Sequence, residues 1–346
     1  MFFKVANLAQ LAEFDEIIDV RSPAEYDEDH IPGAINCPVL DNEERARIGT
    51  LYCQESPFAA RRIGAVLVAR NIARHIETHF QQKPKAWRPL IYCWRGGQRS
   101  GAMAIIMGQI GWAAHQLAHG YKGYRQQVLA DLDLIPDRFD FRVLTGPTGS
   151  GKSRLLAALQ DAGRQVLDLE GLARHRGSVL GRLPDTVQPR QKAFDTALRQ
   201  SLLSFDPARP VYVEAESRSI GRVTLPGALL DALRRGTHIR IEVPLEARVT
   251  FLLADYDFLV RDPALLRIEL ERLRQLYPRE TLDRWMALIE AGEFAALVHE
   301  LLERHYDPLY RRSTTRGLAG DRAEHTIVLD SVEAAALEHA SAMLNG

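Results

Sequence analysis

Phe141-Arg142-Val143-Leu144-Thr145 runs straight into Gly146-Pro147-Thr148-Gly149-Ser150-Gly151-Lys152-Ser153, a complete G-x-x-x-x-G-K-S, and the helical pattern Arg154-Leu155-Leu156-Ala157-Ala158-Leu159 follows. An apolar strand, a glycine-rich turn and a helix start in this order form the context that the motif requires. The glycines let consecutive backbone N–H groups, that of Ser150 among them, point into one concavity at a helix N-terminus. Lys152 adds a point charge for a terminal phosphate, and Ser153 offers a hydroxyl able to ligate magnesium. The stretch therefore reads as a cradle for a diphosphate or polyphosphate. The strand that would supply a metal-binding Asp reads Val211-Tyr212-Val213-Glu214-Ala215-Glu216-Ser217, which makes Glu214 the candidate carboxylate. No Asn-Lys-x-Asp is present to read guanine. Whether the loop hydrolyses ATP or only holds a phosphorylated substrate stays open on these residues.

Outward from this loop the chain alternates strand and helix. Residues 165–169, 211–214, 238–243 and 325–329 are strand candidates separated by helical stretches, which predicts a mainly parallel sheet with helices on both faces. Residues 247–310 are mostly helical in pattern, with Leu265, Ile268, Leu273 and Leu276 expected on one apolar side. Upstream, residues 16–20 and 88–93 read as short buried strands, and residues 100–110 carry Met103, Ile106, Met107 and Ile110 at helical spacing. Residues 124–132 are a further helix candidate, and residues 40–84 look like an insertion with a basic and apolar helix around residues 63–70. Pro136 and Asp137 mark a linker, so the expected domains are residues 1–136 and 137–346.

A length of 346 residues suits two domains. With 46% hydrophobic and 26% charged residues, the composition excludes disorder, collagen and coiled coil. The formal net charge is -1, and residues 1–137 hold 15 basic and 16 acidic side chains against 29 of each afterwards, so neither half is a basic module. Nucleic-acid binding would have to use local patches. Three cysteines are too few for a disulfide framework or a zinc cage, and no uncharged run reaches the ~18 apolar residues of a membrane span. The amino terminus lacks the order of a secretion signal. These features give the expectation of a soluble cytoplasmic protein that is not membrane-bound.

The second chemical site is Cys93-Trp94-Arg95-Gly96-Gly97-Gln98-Arg99-Ser100, which follows a strand and opens a helix. That position sets the thiol over backbone N–H groups and a positive helix end, and both stabilise a thiolate and an anion attached to it. Arg95 and Arg99 add to the same field, so Cys93, Arg95 and Arg99 are the candidate catalytic residues. Cys37 reads as a packed small residue, Cys53 has no comparable setting, and His30 reads as a turn-stabilising hydrogen-bond partner.

Residues 18–36, with Asp19-Val20-Arg21 and Asp29-His30-Ile31-Pro32-Gly33-Ala34, resemble the rhodanese family of sulfurtransferases when taken together with residues 93–100. Across almost its whole length the chain further resembles the tRNA 2-selenouridine synthase family. That likeness rests on Glu43-Glu44-Arg45, Gly49-Thr50-Leu51-Tyr52, Ser56-Pro57-Phe58, Cys93-Trp94-Arg95-Gly96-Gly97, His175-Arg176-Gly177-Ser178 and Glu214-Ala215-Glu216-Ser217-Arg218-Ser219-Ile220-Gly221. The resemblance implies an α/β protein with an N-terminal rhodanese-like domain followed by a P-loop NTPase-like parallel-sheet domain whose C-terminal part is helical. It implies replacement of sulfur by selenium at wobble 2-thiouridine of tRNA, with selenophosphate as donor and Cys93 as the chalcogen carrier. It also implies S-geranylation of that sulfur from geranyl diphosphate, with the alkylated base as intermediate. No tightly bound cofactor is implied, and an enzyme supplying selenophosphate is an expected partner beside tRNA.

Candidate tRNA contacts are Arg174, Arg176, Arg218 and Arg222, then Arg234, Arg235 and the arginines within residues 261–284 and 304–322. Trp94, Tyr256 and Trp285 are candidates for stacking on an exposed base, Trp94 foremost because it adjoins the thiol. Two other readings fit the same motifs: a rhodanese sulfurtransferase fused to a small-molecule kinase or ATPase, and a binding module that senses redox or nucleotide state.

Overall fold

The computed structural model describes residues 4–178, 181–182, 186–315 and 323–344. The chain divides into two units, residues 1–130 and 131–346, and the division falls inside helix Gly120–Leu134, ahead of Pro136 and Asp137.

The first unit contains β1 (Lys4–Ala6), β2 (Glu16–Asp19), α1 (Pro23–Glu28), β3 (Ala34–Asn36), α2 (Asn42–Gln54), α3 (Pro57–His75), β4 (Pro89–Tyr92), α4 (Gln98–Ile110), β5 (His115–Leu117) and α5 (Gly120–Leu134). Its five strands are parallel in the order β1-β5-β4-β2-β3. β4 lies in the middle, and Leu90, Ile91 and Tyr92 are fully buried, as an apolar run covered on both faces must be. Met103 and Met107 of α4 enter this core, whereas Ile110, the last residue before the left-handed cap Gly111, is 52% exposed. Residues 40–84 build α2 and α3, which pack together where Gly64 leaves room for the side chain of Ile48.

The end of β2 is tied down by charge. Arg21 Nη2 donates to Asp19 Oδ2 at 2.6 Å and to the Asp29 carbonyl at 2.7 Å. Its guanidinium lies 3.9 Å from the centre of the Tyr121 ring, and the Tyr121 hydroxyl donates to Asp29 Oδ2 at 2.7 Å. Both Arg21 and Asp19 are buried, and such a pair is tolerated because Nε and Nη2 are hydrogen-bonded and both carboxylate oxygens accept.

The second unit contains β6 (Phe141–Thr145), α6 (Lys152–Asp161), β7 (Gln165–Leu167), α7 (Leu169–Ala173), α8 (Gln191–Ser204), β8 (Val211–Glu214), β9 (Ser219–Ile220), β10 (Val223–Thr224), α9 (Gly227–Arg235), β11 (Thr237–Glu242), α10 (Leu245–Asp255), α11 (Asp257–Arg261), α12 (Pro263–Glu271), α13 (Arg279–Glu290), α14 (Phe294–Leu301), α15 (Asp307–Thr315), β12 (Ala323–Val328) and α16 (Ala334–Met343). Its main sheet is parallel in the order β12-β11-β6-β8-β7, with β9 and β10 as a separate antiparallel pair. β7 stops earlier than the strand expected at residues 165–169, because Asp168 caps α7 by accepting the Gly171 N–H at 2.7 Å.

Helices α11 to α14 enclose their own core around the fully buried Trp285. The apolar side expected there needs correction. Ile268 and Leu276 are 62% and 63% exposed, while Leu266, Leu270 and Leu273 are buried. The helical period breaks at Arg272, after which the backbone continues in tight turns, so one stripe cannot extend from residue 265 to 276. Among the described residues no helix is long and apolar enough to cross a membrane.

Arg21→Leu leaves the buried Asp19 carboxylate without its partner, and breaking such a pair costs about 3–5 kcal/mol. Urea unfolding of the full chain, followed by tryptophan fluorescence, should show a loss of that size; a change under about 1 kcal/mol would mean that the pair does not organise this unit.

Candidate active site

Cys93 sits directly beyond β4, where the chain turns into α4. Its Sγ accepts a hydrogen bond from the Gly97 N–H at 3.3 Å and one from the Ser100 hydroxyl at 3.2 Å. Gln116 Nε2, from β5, donates to Ser100 Oγ at 2.7 Å and to the Gly97 carbonyl at 2.9 Å. The Ser100 hydroxyl also lies 3.3 Å from the Gly97 carbonyl, but that oxygen already accepts the Gln116 amide and the Gly101 N–H, which favours the sulfur as the acceptor. The loop is clamped from behind by the Tyr121 N–H on the Cys93 carbonyl at 2.9 Å and the Lys122 N–H on the Trp94 carbonyl at 2.8 Å. Gly120 makes this approach: its φ is +53° and a Cβ would lie 2.2 Å from the Cys93 carbonyl oxygen.

The two loop arginines differ. Arg99 binds Glu25 through both terminal nitrogens, at 2.7 and 3.2 Å, so its charge is shared with a carboxylate. Burial pushes the Glu25 carboxyl up, but the Arg99 hydrogen bond and charge outweigh it and hold the group below its ordinary range. Arg95 is exposed. Trp94 is half-buried with its ring 5.4 Å from that of Tyr121. Cys37 is buried, and desolvation, then Glu16 and Asp19, push its thiol up to about 12; Cys53 is exposed. His30 stacks on Tyr26 and hydrogen-bonds the Tyr26 carbonyl through Nδ1 at 3.0 Å.

The phosphate loop joins β6 to α6. Gly146, Gly149 and Gly151 all have positive φ, and at Gly151 a Cβ would meet Val332 Cγ1 at 2.4 Å. Lys152 Nζ donates to the Gly146 and Pro147 carbonyls at 2.9 and 3.4 Å, and the buried Ser150 hydroxyl has no hydrogen-bond partner among the described residues. Arg248 of α10 pins the loop from outside, donating to the Thr148 carbonyl at 2.9 Å while Asp307 holds its guanidinium.

Beside the ammonium stand three carboxyl groups, of which only Glu214 was legible as a candidate. The Ser153 hydroxyl donates to Glu170 Oε2 at 3.0 Å, and the Glu170 N–H donates to Glu214 Oε1 at 3.1 Å. Glu214 Oε2 is buried without a hydrogen-bond partner among the described residues. Burial, then Glu170, Asp168 and Glu216, hold the Glu214 carboxyl well above its ordinary value. Glu170 is also raised by burial, against the pull of Lys152 and Ser153. Burial and Glu170 push Glu216 up to about 8, opposed by Lys152. Lys152 is lowered by burial, against the attraction of Glu216, Glu170 and Glu214. The local signals for the missed pair are weak ones, Asp168-Leu169-Glu170 and the alternation Glu214-Ala215-Glu216.

An apolar cavity lined by Leu259, Leu266, Phe294, Leu297 and Leu301 adjoins the phosphate cleft, and the two share Thr148, Ser178, Leu252, Tyr256 and Tyr306.

The candidate RNA contacts separate into held and exposed groups. Arg176 is bound to Asp255 Oδ2 at 2.5 Å and lies 4.5 Å from the centre of the Tyr256 ring. Arg174, in a left-handed conformation, is exposed, as are Arg218 and Arg222 around the β9–β10 turn. Arg234 pairs with Asp231 at 2.8 Å, and Arg235 pairs with Asp137. In the helical region Arg261, Arg267, Arg272, Arg274, Arg279, Arg284 and Arg304 all pair with carboxylates. Arg316 and Arg322 lie outside the described residues. Trp285 is corrected as a stacking candidate: it is fully buried, with its indole N–H 3.3 Å from Glu300, because it is the centre of the helical core.

A sulfur held by backbone and hydroxyl donors in a parallel sheet, followed by a second parallel sheet with a phosphate loop, defines a rhodanese-like domain joined to an AAA-type domain. A rhodanese-like domain model matches residues 4–127, and a model described as the tRNA 2-selenouridine synthase AAA domain matches residues 139–264. A protein of Alcanivorax borkumensis named tRNA 2-selenouridine synthase is 32% identical over 352 residues, covering 91% of this chain and 95% of that protein. One of the same name from Bdellovibrio bacteriovorus is 31% identical, covering 87% and 89%. A third, from Nitrosomonas europaea, is 37% identical over 69% of this chain, a match spanning 63% of its own length. The chain belongs to the tRNA 2-selenouridine synthase family.

A hydrogen bond to a charged group contributes about 1.5–3 kcal/mol, so Ser100→Ala, which removes the hydroxyl donor to Sγ, should slow Cys93 alkylation at pH 7 about tenfold or more. An unchanged rate, read by peptide-resolved mass spectrometry, would remove Ser100 from the thiolate's support. For Glu216 the sign follows from its raised proton affinity: the group is neutral below about 8 and becomes charged as pH rises through that value. Magnesium-free diphosphate should therefore bind more weakly at pH 9 than at pH 7. Glu216→Gln should flatten that dependence in a calorimetric titration, and an equal slope in both proteins would count against it.

Proposed function

We propose that this protein replaces the sulfur of wobble 2-thiouridine in tRNA with selenium, using geranyl diphosphate to activate the sulfur and selenophosphate to supply the selenium. The observation that carries the reading is the thiol cradle, in which Gly97 and Ser100 aim donors at Cys93 Sγ, as a site handling an anionic chalcogen requires.

A thiocarbonyl sulfur is a poor leaving group until it is alkylated. In the first step the sulfur attacks C1 of geranyl diphosphate, the C–O bond breaks, and diphosphate departs with the electron pair while the base loses its N3 proton. Lys152 and the loop N–H groups stabilise the charge that grows on the departing oxygens. The geranyl chain takes the adjoining apolar cavity, where each buried CH₂ is worth about 0.8 kcal/mol. A nucleobase would bring hydrogen-bonding edges into the same aliphatic and aromatic lining.

In the second step the selenium of selenophosphate forms the bond to C2, and geranylthiol leaves with a proton. The Cys93 thiolate then takes the phosphoryl group as the P–Se bond breaks, and water releases phosphate from the cysteine. Selenium keeps its oxidation state throughout, so neither an oxidant nor a reductant is consumed. Carriage as a perselenide on Cys93 would call for a two-electron oxidant to form it and a reductant to discharge it.

The oxygen-only donors around Ser153, namely its hydroxyl, Glu170 and Glu214, suit magnesium. Among the described residues no three His, Cys, Asp or Glu side chains converge to hold a metal by themselves, so diphosphate oxygens would complete its shell. When bound, the ion would supply charge neutralisation on the diphosphate.

Mass spectrometry of nucleosides from 2-thiouridine tRNA incubated with both co-substrates should detect S-geranylated and selenium-containing uridine. Unaltered 2-thiouridine together with phosphate release from ATP would instead favour the kinase or ATPase reading. Val260 lines the apolar cavity and not the phosphate cleft, so Val260→Trp should raise KM for geranyl diphosphate at least tenfold while leaving inorganic diphosphate binding intact; equal loss of both would remove the chain from the cavity.

A further inference from the structure

The arginines of α11 to α13 are matched by carboxylates on neighbouring turns or helices, so that surface is close to neutral. α3 differs. Its 19 residues include Arg61, Arg62, Arg70 and Arg74 and no Asp or Glu. All four arginines are exposed, and none is ion-paired among the described residues. Phe58 and Val66 stand out beside them, 72% and 59% exposed.

The opposite side of the helix explains why this face is free. Ala60, Gly64, Asn71, Ile72 and His75 form the buried stripe. Asn71 Nδ2 donates to the Val39 carbonyl at 3.1 Å and to Glu44 Oε2 at 2.8 Å, and His75 Nε2 hydrogen-bonds the Pro38 carbonyl at 2.9 Å. Burial lowers the His75 imidazole, so the charge of α3 comes from its arginines. At about 1.5 Å per residue the span from Arg61 to Arg74 is roughly 20 Å, enough to meet several successive phosphates. A membrane-surface helix would keep its apolar stripe outward, whereas α3 has turned that stripe into the protein.

The hairpin of α2 and α3 is also fastened to the thiol loop's supports. Asn42 Oδ1 accepts the Ala24 N–H at 2.9 Å, and Arg45 lies 3.9 Å from Glu25, the residue that holds Arg99.

We infer that the exposed arginine face of α3 is a docking surface for the sugar–phosphate backbone of RNA, with Phe58 placed to stack on an unpaired base. The inference rests on tRNA being the substrate and adds the surface that grips it.

The test is fluorescence-anisotropy titration of the full chain with a wobble-thiolated tRNA over a range of salt. Two lost phosphate contacts should reduce the slope of log affinity against log salt by about 1.4–1.8, and Arg62→Gln with Arg70→Gln should weaken binding at least tenfold at low salt. The Arg62→Lys, Arg70→Lys protein should keep most of both. Thermal midpoint and peptide-resolved Cys93 alkylation should stay at wild-type values in each variant. A Gln variant with the wild-type slope, in a protein that still makes selenouridine, overturns the surface alone. A wild type that ignores tRNA, makes no selenouridine and binds phosphatidylserine vesicles overturns the surface and the proposed function together.

Discussion

A parallel strand that feeds a helix leaves the first-turn N–H groups without intrahelical acceptors, and the chain meets that constraint twice. After β4 the acceptor is a cysteine sulfur; after β6 the loop is shaped for phosphate oxygens. Each follows the central strand of its sheet, where flanking strands fix the backbone on both sides. The geometry of both sites is thus inherited from sheet order. The side chains that decide chemistry, Ser100 with Gln116 in one unit and Lys152 with its three glutamates in the other, are additions to a common frame.

The two sites handle charge in opposite ways. Around Cys93 the donors are neutral, an amide and a hydroxyl, and Arg99 is engaged with Glu25, so a negative sulfur is stabilised by dipoles already in place. Around Lys152 the charges are formal and buried, and carboxyl groups outnumber the ammonium. Such a cluster persists only by retaining protons, which makes it responsive to whatever anion or cation enters. A released diphosphate and a growing negative charge are the kind of species that would shift this balance.

The motifs with fixed local geometry were legible in the sequence. Residues 141–153 and 93–100 carry strand, turn and helix signals in one unbroken stretch, so the thiol and the phosphate loop could be placed before any coordinates. Gln116 could not, because it reaches its site from a separate strand, and Glu170 and Glu216 carry only weak local signals beside Asp168 and Glu214. Trp285 looked like a surface aromatic for want of burial information, although its position on α13 makes it the hub of a core. Leu276 was misplaced because a helical period was carried across a break at Arg272, and Ile268 because the buried stripe of α12 runs through Leu266 and Leu270 instead. Charge composition misled in a similar way: the arginine-dense helices near the C-terminus are neutralised by their own glutamates, while a shorter basic stretch in the apparent insertion keeps its charge.

Under the proposed function the phosphate loop carries the alkylation, and Cys93 takes the phosphoryl group whose departure frees the selenouridine. The most direct measurement supplies tRNA already S-geranylated at the wobble base, together with selenophosphate, to the Cys93→Ala and Lys152→Ala proteins in single turnover. Lys152→Ala should then form selenouridine at close to the wild-type rate, and Cys93→Ala should release almost none. Conversion at full rate without Cys93, or failure without Lys152 on this substrate, would contradict it.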